Sequence, residues 1–586
     1  MSPEPPGNPS ALRSPALHAA LIILAVLACY LNSFSVPFQF DDADYILNNP
    51  AVRDPSILLD PSRIQGHMLR HFLMNRYVGF VSLWANFAAG GASTPGYHAV
   101  NVAVHLANAL LLYALVLAGW RTPRMKGAGG RAPLAALGAA LIFAAHPLMT
   151  QAVTYISQRF TSMAAMFYMG SLLAYSLARL EADDKRLKRY ALYAAAFISG
   201  ALAMKTKEIA ITLPVALALW EFMLMDGPRR RRALRLAPFL LLGLIIPVTV
   251  LFSDQPFTSM VGDVLTRTRS DTLMPRATYL YTQFVVIVKY IGLLLYPSGL
   301  NVDHDQAIYA SLANPAPLLS MLALAAMLGL GLWAARRMRN PLAAFGLVWF
   351  FLALSVESSI LPIRDVMFEH RMYLPSAGLL MFISCAITRI RYRKAAFALI
   401  ILVAVALSIA TIKRNEVWQG TITLWEDAAS KSPGKPRVFT NLGDAYAAHG
   451  LNDKAIESFQ HAIALEPRYS RAYTGLGTLQ LNLMMTAKAE ETLTKAVETN
   501  PKNEDAWYNL GALYYLTGRY QLAVKSYSAA LGLDPLDAAA ALNLGRAEQK
   551  AGDDAAARRS YLDALRIQPS LALPPEASRL LSTSRP

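Results

Sequence analysis

Long apolar segments, separated by short polar loops, fill the chain as far as Ile412. Twelve of them are long enough to cross about 30 Å of hydrocarbon. They begin near residues 16, 97, 133, 157, 189, 208, 234, 277, 315, 342, 372 and 394. Each is predicted to be a helix, because a helix satisfies its own backbone hydrogen bonds inside a bilayer. The pattern predicts a polytopic membrane domain over residues 16–413, preceded by a Pro-rich, disordered cytoplasmic tail over residues 1–15.

After Ile412 the pattern changes to a repeat of 34 residues, seen in Gly443, Gly477, Gly511 and Gly545 and in prolines at the same spacing. Small residues and aromatics at set positions in each repeat are typical of tetratricopeptide repeats, which contain two helices each. Residues 436–569 are therefore predicted to form four repeats, stacked as a short solenoid with a concave face. A linker and first helix over residues 414–435 precede them, and a C-terminal cap or tail over residues 570–586 follows. The predicted fold class is all-α.

Composition and charge support a membrane protein and indicate its orientation. Charged residues make up 16% of the chain, against about 25% in soluble proteins. The net charge of +16 is concentrated in short loops near residues 120–132, 185–189, 229–232, 336–339 and 389–394, which predicts that these loops are cytoplasmic. This requires about eleven crossings, because one segment between residues 234 and 298 must fail to cross or must re-enter. The first outer loop is then 35–96, and the repeats lie outside the cytoplasm.

The same distribution excludes several function classes. Loop cations that follow the positive-inside pattern give no indication of nucleic-acid binding. The two cysteines, Cys29 and Cys385, both lie in apolar segments and provide neither a disulfide framework nor a metal-ligand spacing. The run Asp303, His304 and Asp305 does not suit a metal ion either, because adjacent residues rarely point at one ion. No cofactor is indicated; a divalent cation is compatible with the sequence, but no motif indicates one.

Polar residues cluster on the predicted outer side, led by the adjacent Asp41 and Asp42 in the first outer loop. Carboxylates beside a membrane are costly to keep unless they are functional. An adjacent pair suits a general base and its polar partner, although a solvated loop is the alternative. The other outer residues that we consider candidates are Arg76, Asn101, His105, His146, Arg159, Lys207, Glu208, Glu369, Arg371 and Tyr373.

These residue types fit one reaction. A sugar on a membrane-embedded polyprenyl phosphate places its leaving group at the lipid surface, and transfer to a hydroxyl needs a base and cations for the departing phosphate. Asp41 or Asp42 is the predicted base. Arg371, Lys207, Arg159 and, behind them, Arg76 are predicted to contact the phosphate. The predicted pocket or supporting residues are Glu369, Glu208, His105, His146, Asn101 and Tyr373. For Lys207 and Glu208, a simple charge couple is the alternative.

Several blocks of sequence together resemble the transmembrane and tetratricopeptide-repeat O-mannosyltransferases and their bacterial relatives. The blocks are residues 40–48, 98–105, 146–159, 207–208, 369–376 and 414–418, in this order. The resemblance implies a GT-C membrane fold, a dolichyl- or polyprenyl-phosphate sugar donor, and an active site at the acidic pair. Animal members of the family transfer mannose to Ser or Thr of extracellular domains.

The predicted function is an integral-membrane glycosyltransferase that moves a sugar from a polyprenyl phosphate to Ser or Thr of extracytoplasmic proteins, presented by the repeats. The predicted partners are therefore the lipid-linked sugar, an acceptor polypeptide and the bilayer. A ligase for whole lipid-linked glycans and a non-catalytic, membrane-anchored repeat scaffold for envelope assembly are the alternatives. Compact loops favour a bacterial inner membrane with periplasmic repeats over an endoplasmic-reticulum membrane with lumenal repeats.

Overall fold

A computed structural model of the protein describes residues 14–64, 68–126, 131–182, 184–251, 274–363, 365–568 and 571–582. Its described residues form helices, turns and loops and contain no β-strand, which confirms the all-α prediction. The chain divides into two compact units, Met1–Thr421 and Ile422–Pro586. Residues 1–13 of the predicted cytoplasmic tail lie outside the described residues.

The first unit contains eighteen α-helices within its described residues, numbered here in chain order. The helices of its first half are α1 (Pro15–Tyr30), α2 (Pro50–Arg53), α3 (Pro55–Leu59), α4 (Met68–Asn75), α5 (Tyr77–Gly90), α6 (Thr94–Trp120), α7 (Ala132–Ala145), α8 (Thr150–Val153) and α9 (Arg159–Leu180). The remaining helices are α10 (Arg186–Met204), α11 (Leu213–Leu224), α12 (Arg229–Leu240), α13 (Ile245–Leu251), α14 (Arg276–Leu295), α15 (Pro315–Arg337), α16 (Pro341–Leu354), α17 (Tyr373–Ile387) and α18 (Arg393–Trp418).

Seven helical stretches in the described residues are long and apolar enough to cross a membrane, and an eighth is formed if α7 and the bent segment after it count as one span. The predicted segments that begin near residues 189, 208, 342 and 372 correspond to α10, α11, α16 and α17. Of these, α11, α16 and α17 have 12, 14 and 15 residues. The structure therefore supports a multi-pass membrane protein, and the number of crossings stays a prediction. Residues 252–273, within the ambiguous 234–298 stretch, lie outside the described residues.

Small residues let the membrane helices approach closely, as expected where lipid provides no hydrophobic drive for association. The crossing of α16 and α17 is the clearest example. A Cβ atom on Gly346 would lie 2.6 Å from the carbonyl oxygen of Gly378, and a Cβ on Gly378 would lie 2.5 Å from that of Gly346. Both contacts are with backbone atoms, so neither glycine can be enlarged without separating the two helices.

A buried charge cluster joins three helices on the side that carries the predicted cytoplasmic loops. The Glu221 carboxylate on α11 is fully buried and accepts from Arg179 Nε at 2.8 Å and from the Tyr175 hydroxyl at 3.0 Å. Arg232 on α12 lies 3.5 Å from the other carboxylate oxygen. One buried anion therefore holds two arginines, which keeps the basic start of α12 against the bundle.

The second unit is a series of helix pairs at the period predicted from the sequence. Its first helix is α19 (Thr421–Lys431), whose first residue is the last residue of the preceding unit. The pairs are α20 (Pro436–Ala448) with α21 (Asn452–Leu465), α22 (Ser470–Asn482) with α23 (Thr486–Thr499), α24 (Glu504–Leu516) with α25 (Tyr520–Leu533), and α26 (Ala538–Lys550) with α27 (Asp554–Ile567). Where the two helices of a pair cross, a glycine meets a large side chain, which is an aromatic ring in three pairs and Leu493 in the second; a Cβ on Gly511 would lie 2.8 Å from Tyr527.

A short final helix covers the end of the solenoid. Helix α28 (Pro575–Ser582) buries Ala577 beside Ala557 and Tyr561 of the last pair. A terminal repeat needs such a cover because its outer face has no neighbouring repeat. Within the predicted 570–586 cap or tail, residues 571–582 are described, and residues 583–586 lie outside the described part.

Candidate active site

The Asp42 carboxylate ties the first outer loop to the start of α9. It is 1% exposed and accepts backbone N–H bonds at both oxygens, from Gln39 at 3.0 Å and from Ser157 at 2.7 Å. Burial raises the pKa of Asp42 to about 7, although both N–H groups favour the anion; the charge of Asp41 raises it slightly further. Because both oxygens are engaged by the backbone, Asp42 is positioned to hold the loop.

Asp41 lies beside Asp42 but in a more open setting, with its side chain half-buried. Its backbone N–H donates to the Tyr155 hydroxyl at 2.9 Å. The preceding Phe40 has a φ of 52°, in the left-handed region, which costs a non-glycine residue roughly 1–2 kcal/mol. The ring of Phe40 packs on Tyr155 with 6.1 Å between centroids. Tyr155 thus holds both residues of a strained turn that orients Asp41.

Arg76 and Glu208 form a bidentate ion pair. Arg76 precedes α5, and Glu208 begins the 3₁₀ turn Glu208–Thr212. The guanidinium Nε and Nη2 each donate to one carboxylate oxygen at 3.1 Å. A backbone bond from Val78 N to Lys205 O at 3.0 Å joins the same two segments. The predicted alternative, a charge couple between Lys207 and Glu208, is wrong in that Glu208 faces Arg76.

Lys207 pairs instead with Glu357, which follows α16. The ammonium lies 3.1 Å from the Glu357 carboxylate and donates to the Thr161 hydroxyl on α9 at 2.9 Å. The Tyr279 hydroxyl on α14 donates to the backbone carbonyl of Glu357 at 2.6 Å. Burial lowers the pKa of Lys207, and Glu357 opposes that effect. The pair is therefore held by residues of two helices, α9 and α14.

Arg371 differs from these two cations in that it donates to neutral backbone carbonyls. Nη1 donates to Val366 O at 3.3 Å, and Nη2 donates to Asp365 O at 2.5 Å. The side chain is 5% exposed, and its Nε has no hydrogen-bond acceptor within the described residues. Of the three cations, Arg371 has the least of its charge balanced by a direct carboxylate contact.

Two titratable groups indicate that these cations and the acidic pair lie near one another. Burial lowers the pKa of His370, and the positive charges of Lys207, Arg371 and Arg76 lower it further. Burial raises the pKa of Tyr45, which is also affected by the charges of Arg76, Asp41 and Glu208. All three cations therefore act on His370, and Arg76 and Asp41 both act on Tyr45. The Tyr45 ring and the Arg76 guanidinium also lie 5.7 and 5.9 Å from the centroid of the same Phe160 ring. We call Arg76, Lys207 and Arg371 the cation cluster.

Arg159, the first residue of α9, is held by partners other than those of the cation cluster. It is fully buried and donates to Asn101 Oδ1 at 2.6 Å, Asn86 Oδ1 at 2.5 Å, Ser82 O at 3.2 Å and Tyr97 O at 2.9 Å. All three guanidinium nitrogens are thus engaged by neutral groups of α5 and α6. This geometry favours a positioning role over the predicted phosphate contact, and it places Asn101 in the same network.

His105, Tyr373 and His146 make structural hydrogen bonds inside the bundle. His105 bonds through Nδ1 to the Tyr373 hydroxyl at 2.7 Å and through Nε2 to Ala144 O at 3.2 Å. His146 bonds through Nε2 to Leu294 O at 2.9 Å and caps the following 3₁₀ turn by accepting from Leu148 N at 3.1 Å. His105 therefore connects α6 to α7 and α17, and His146 connects the end of α7 to α14.

Glu369 holds the loop that follows α14. One of its oxygens accepts from Asn301 N at 2.5 Å and from His304 Nε2 at 2.9 Å, and the side chain is 1% exposed. Among the described residues there is no group of three or more His, Cys, Asp or Glu that could hold a metal ion. The run at 303–305 thus engages Glu369 through His304.

Sequence reasoning missed Tyr45, Glu357 and Tyr279. Glu357 carried a signal, because it is the only acidic residue between Asp305 and Asp365. Tyr45 lies in the same loop as Asp41 and Asp42, but nothing in the sequence places its ring beside Arg76. Tyr279 is one of several tyrosines on apolar helices, and no sequence pattern distinguishes it.

Two family models match the chain, both described as tetratricopeptide repeat, over residues 446–514 and 504–536. They confirm the predicted repeats in the second unit. A crystal structure of the MamA protein covers 26% of this chain and 87% of its own, at 26% identity and a TM-score of 0.23.

Curated relatives match most of the chain. A protein O-mannosyl-transferase of Caenorhabditis elegans is 25% identical over 484 residues, which is 79% of this chain and 64% of the relative. Protein O-mannosyl-transferase Tmtc3 of Drosophila melanogaster is 23% identical over 514 residues, 76% of this chain and 54% of its own. The chain thus spans little more than half to two thirds of these relatives. The predicted resemblance to the transmembrane and tetratricopeptide-repeat O-mannosyltransferases is confirmed.

Proposed function

We propose that the protein is a membrane glycosyltransferase that moves a sugar from a polyprenyl phosphate to Ser or Thr hydroxyls of extracytoplasmic proteins. The observation that carries the proposal is that the acidic pair and two of the cations contact one short stretch at the start of α9. Asp42 accepts from Ser157 N–H, the Arg76 guanidinium lies 5.9 Å from the centroid of the Phe160 ring, and Lys207 donates to Thr161. The names of the relatives, which are protein O-mannosyl-transferases, support this reaction class.

Asp41 is the general base in this proposal. It is the more accessible member of the pair, whereas both oxygens of Asp42 accept backbone N–H bonds. The Asp41 carboxylate takes the proton of the acceptor hydroxyl while the hydroxyl oxygen attacks the anomeric carbon. The bond from that carbon to the phosphate oxygen breaks, and polyprenyl phosphate leaves with the bonding electron pair. A single displacement of this kind inverts the anomeric configuration.

The cation cluster stabilises the charge that develops on the departing phosphate. Arg371 contributes most in this proposal, because its hydrogen bonds go to backbone carbonyls and its Nε has no acceptor in the described residues. Lys207 and Arg76 contribute while they remain paired with Glu357 and Glu208. Arg is suited to bidentate contact with phosphate, whereas Lys contributes a point charge.

The tetratricopeptide repeats present the acceptor polypeptide, since stacked repeats offer an extended concave surface for peptide segments. A GT-C type of membrane fold, a bacterial inner membrane and periplasmic repeats complete the proposal. The positively charged loops support this orientation, because such loops are usually cytoplasmic. The acidic pair and the repeats are then both on the outer side of the membrane.

Glycopeptide mass spectrometry on extracytoplasmic proteins tests the proposal. A deletion strain of the source organism is compared with the same strain rescued by wild type, by Asp41→Asn or by Asp44→Asn at equal expression. Asp44 is the matched control, because it is an exposed carboxylate in the same loop. We expect a hexose-sized mass on Ser or Thr that is lost on deletion, restored by wild type and Asp44→Asn, and not restored by Asp41→Asn. If Asp41→Asn restores it fully, the scaffold alternative replaces this proposal.

A further inference from the structure

A cavity of about 720 Å³ lies between the first outer loop and α10, next to the cation cluster but separate from it. Its walls are mostly apolar, with Leu58 of the outer loop, Met74 of α4 and Ile198 of α10 among them. Arg70 and Lys205 lie at its polar parts, together with Asp60. The size falls within the range of small-molecule sites, roughly 300–1,000 Å³.

One wall of the cavity is a stripe along α10. Phe197, Ile198, Ala201, Leu202 and Lys205 line it at spacings that place them on one helix face. Ile198 is 59% exposed and Phe197 is 38% exposed, and in a bilayer such a face contacts lipid. Since a helix rises 1.5 Å per residue, the stripe runs about 10 Å from Ile198 to Lys205. An apolar track therefore leads from the lipid-facing surface to an ammonium group.

Lys205 is held at the end of this track that is farther from Ile198. Its ammonium donates to Met74 O at 3.2 Å and to the Thr249 hydroxyl at 2.5 Å, both of them neutral acceptors. An ammonium has three protons, so its geometry retains capacity for an anion. Arg70 adds a second positive charge and Asp60 a single negative one. The polar part of the cavity thus carries a net positive charge.

The cavity and the cation cluster share two chain segments. Tyr77 and Val78, which line the cavity, follow Arg76 directly, and Lys205 comes two residues before Lys207. The backbone bond from Val78 N to Lys205 O holds these segments together at 3.0 Å. A ligand with an apolar chain in the cavity would therefore bring an attached anionic group to the side where Arg76 and Lys207 lie.

We propose that this cavity binds the first part of the hydrocarbon chain of a single-chain lipid phosphate, whose phosphate leaves the cavity at Lys205, towards Arg76 and Lys207. The inference rests on the proposed function in one respect, that such a lipid is the sugar donor, and it assigns the donor's chain to named residues. The occupant follows from the combination of apolar walls, a net positive charge of the lining residues and the exposed apolar residues Phe197 and Ile198 of α10 at the cavity.

The test measures binding rather than transfer. The full-length protein in lipid nanodiscs is titrated with a sugar-free polyprenyl phosphate, with phosphatidic acid and with inorganic phosphate. We compare wild type with the cavity-filling Ala201→Trp and Ile198→Trp, with Lys205→Gln, and with Val405→Trp. Val405 is the matched control, because it is an exposed apolar residue of α18, 52% accessible and outside the cavity lining. Thermal unfolding confirms that each variant is folded.

We expect polyprenyl phosphate to bind wild type and Val405→Trp equally. Either tryptophan in the cavity should weaken binding tenfold or more, and Lys205→Gln should weaken it several-fold. The inference is overturned if both tryptophan variants bind like wild type, if phosphatidic acid binds as tightly as polyprenyl phosphate, or if inorganic phosphate alone competes fully. Since no sugar is transferred, loss of glycopeptides with Asp41→Asn and loss of lipid binding with Ala201→Trp are independent results.

Discussion

Substituting each aspartate of the acidic pair by asparagine should separate the base from the residue that holds its loop. Asp41→Asn removes a proton acceptor but keeps a polar side chain of the same size at a half-buried position, so the protein should largely keep its thermal stability. Loss of a general base typically costs 10²–10⁴-fold in rate. We therefore expect the transfer rate to fall by about that factor with an unchanged unfolding midpoint.

Asp42→Asn should lower the thermal stability more than Asp41→Asn does, and the transfer rate less. The asparagine oxygen can accept from either Gln39 N or Ser157 N, which are 3.0 and 2.7 Å from the aspartate oxygens, but its NH₂ group would face the other N–H. One buried backbone donor then lacks an acceptor, at a cost of about 1–3 kcal/mol. If this free-energy cost adds in full to the barrier for sugar transfer, the rate falls roughly 5–150-fold, since about 1.4 kcal/mol is a factor of ten.

The assay is transfer from a radiolabelled polyprenyl-phosphate sugar to an acceptor peptide by purified protein, together with thermal unfolding in the same detergent. Asp44→Asn in the same loop is the control for a change of charge. If Asp41→Asn keeps more than a tenth of wild-type activity, Asp41 is not the base. If Asp42→Asn unfolds at the wild-type temperature, its two backbone bonds do not hold the loop.

Three further predictions concern charge. Because burial raises the pKa of Asp42 to about 7, the folded protein takes up a proton there as the pH falls through 7, which weakens one bond that holds the loop. The transfer rate should therefore fall over the same pH range. The pH–rate profile of Asp42→Asn should lack this fall. A double-mutant cycle of Arg76→Ala and Glu208→Ala, measured by chemical unfolding, should give a coupling of about 0.5–3 kcal/mol, and additive effects would contradict the pair. Glu221→Gln leaves two arginines without their buried anion and should cost about 3–5 kcal/mol, so an unchanged unfolding midpoint would contradict that cluster.

Periodicity made the repeats and most apolar helices predictable. The 34-residue spacing of Gly443, Gly477, Gly511 and Gly545 corresponds to close helix crossings, where a Cβ would meet the side chain at the crossing. The short helices α16 and α17 show the limit of length-based reasoning. Their sequences are apolar throughout, and the backbone contact between Gly346 and Gly378 depends on a pairing of helices that a one-dimensional pattern does not contain.

The candidate site was predictable in residue type but not in pairing. Arginines and histidines at helix ends look alike in sequence, yet Arg159 is saturated by neutral groups whereas Arg371 retains an Nε with no acceptor in the described residues. The difference comes from which helix ends meet in space. Asn86 and Asn101, which engage Arg159, lie on two other helices and more than fifty residues away in the chain.

Because Glu208 pairs with Arg76 and Lys207 pairs with Glu357, the cation cluster can exist before a donor binds. Three buried or half-buried cations close to one imidazole would repel one another and lose hydration, a cost of several kcal/mol per unpaired ion. Glu208 opposite Arg76 and Glu357 opposite Lys207 reduce this cost, while Arg371 donates to backbone carbonyls. In the proposed reaction, a cluster balanced in this way remains stable without a ligand and still presents net positive charge to a departing phosphate. The two carboxylates are therefore as much a part of the proposed phosphate site as the cations they face.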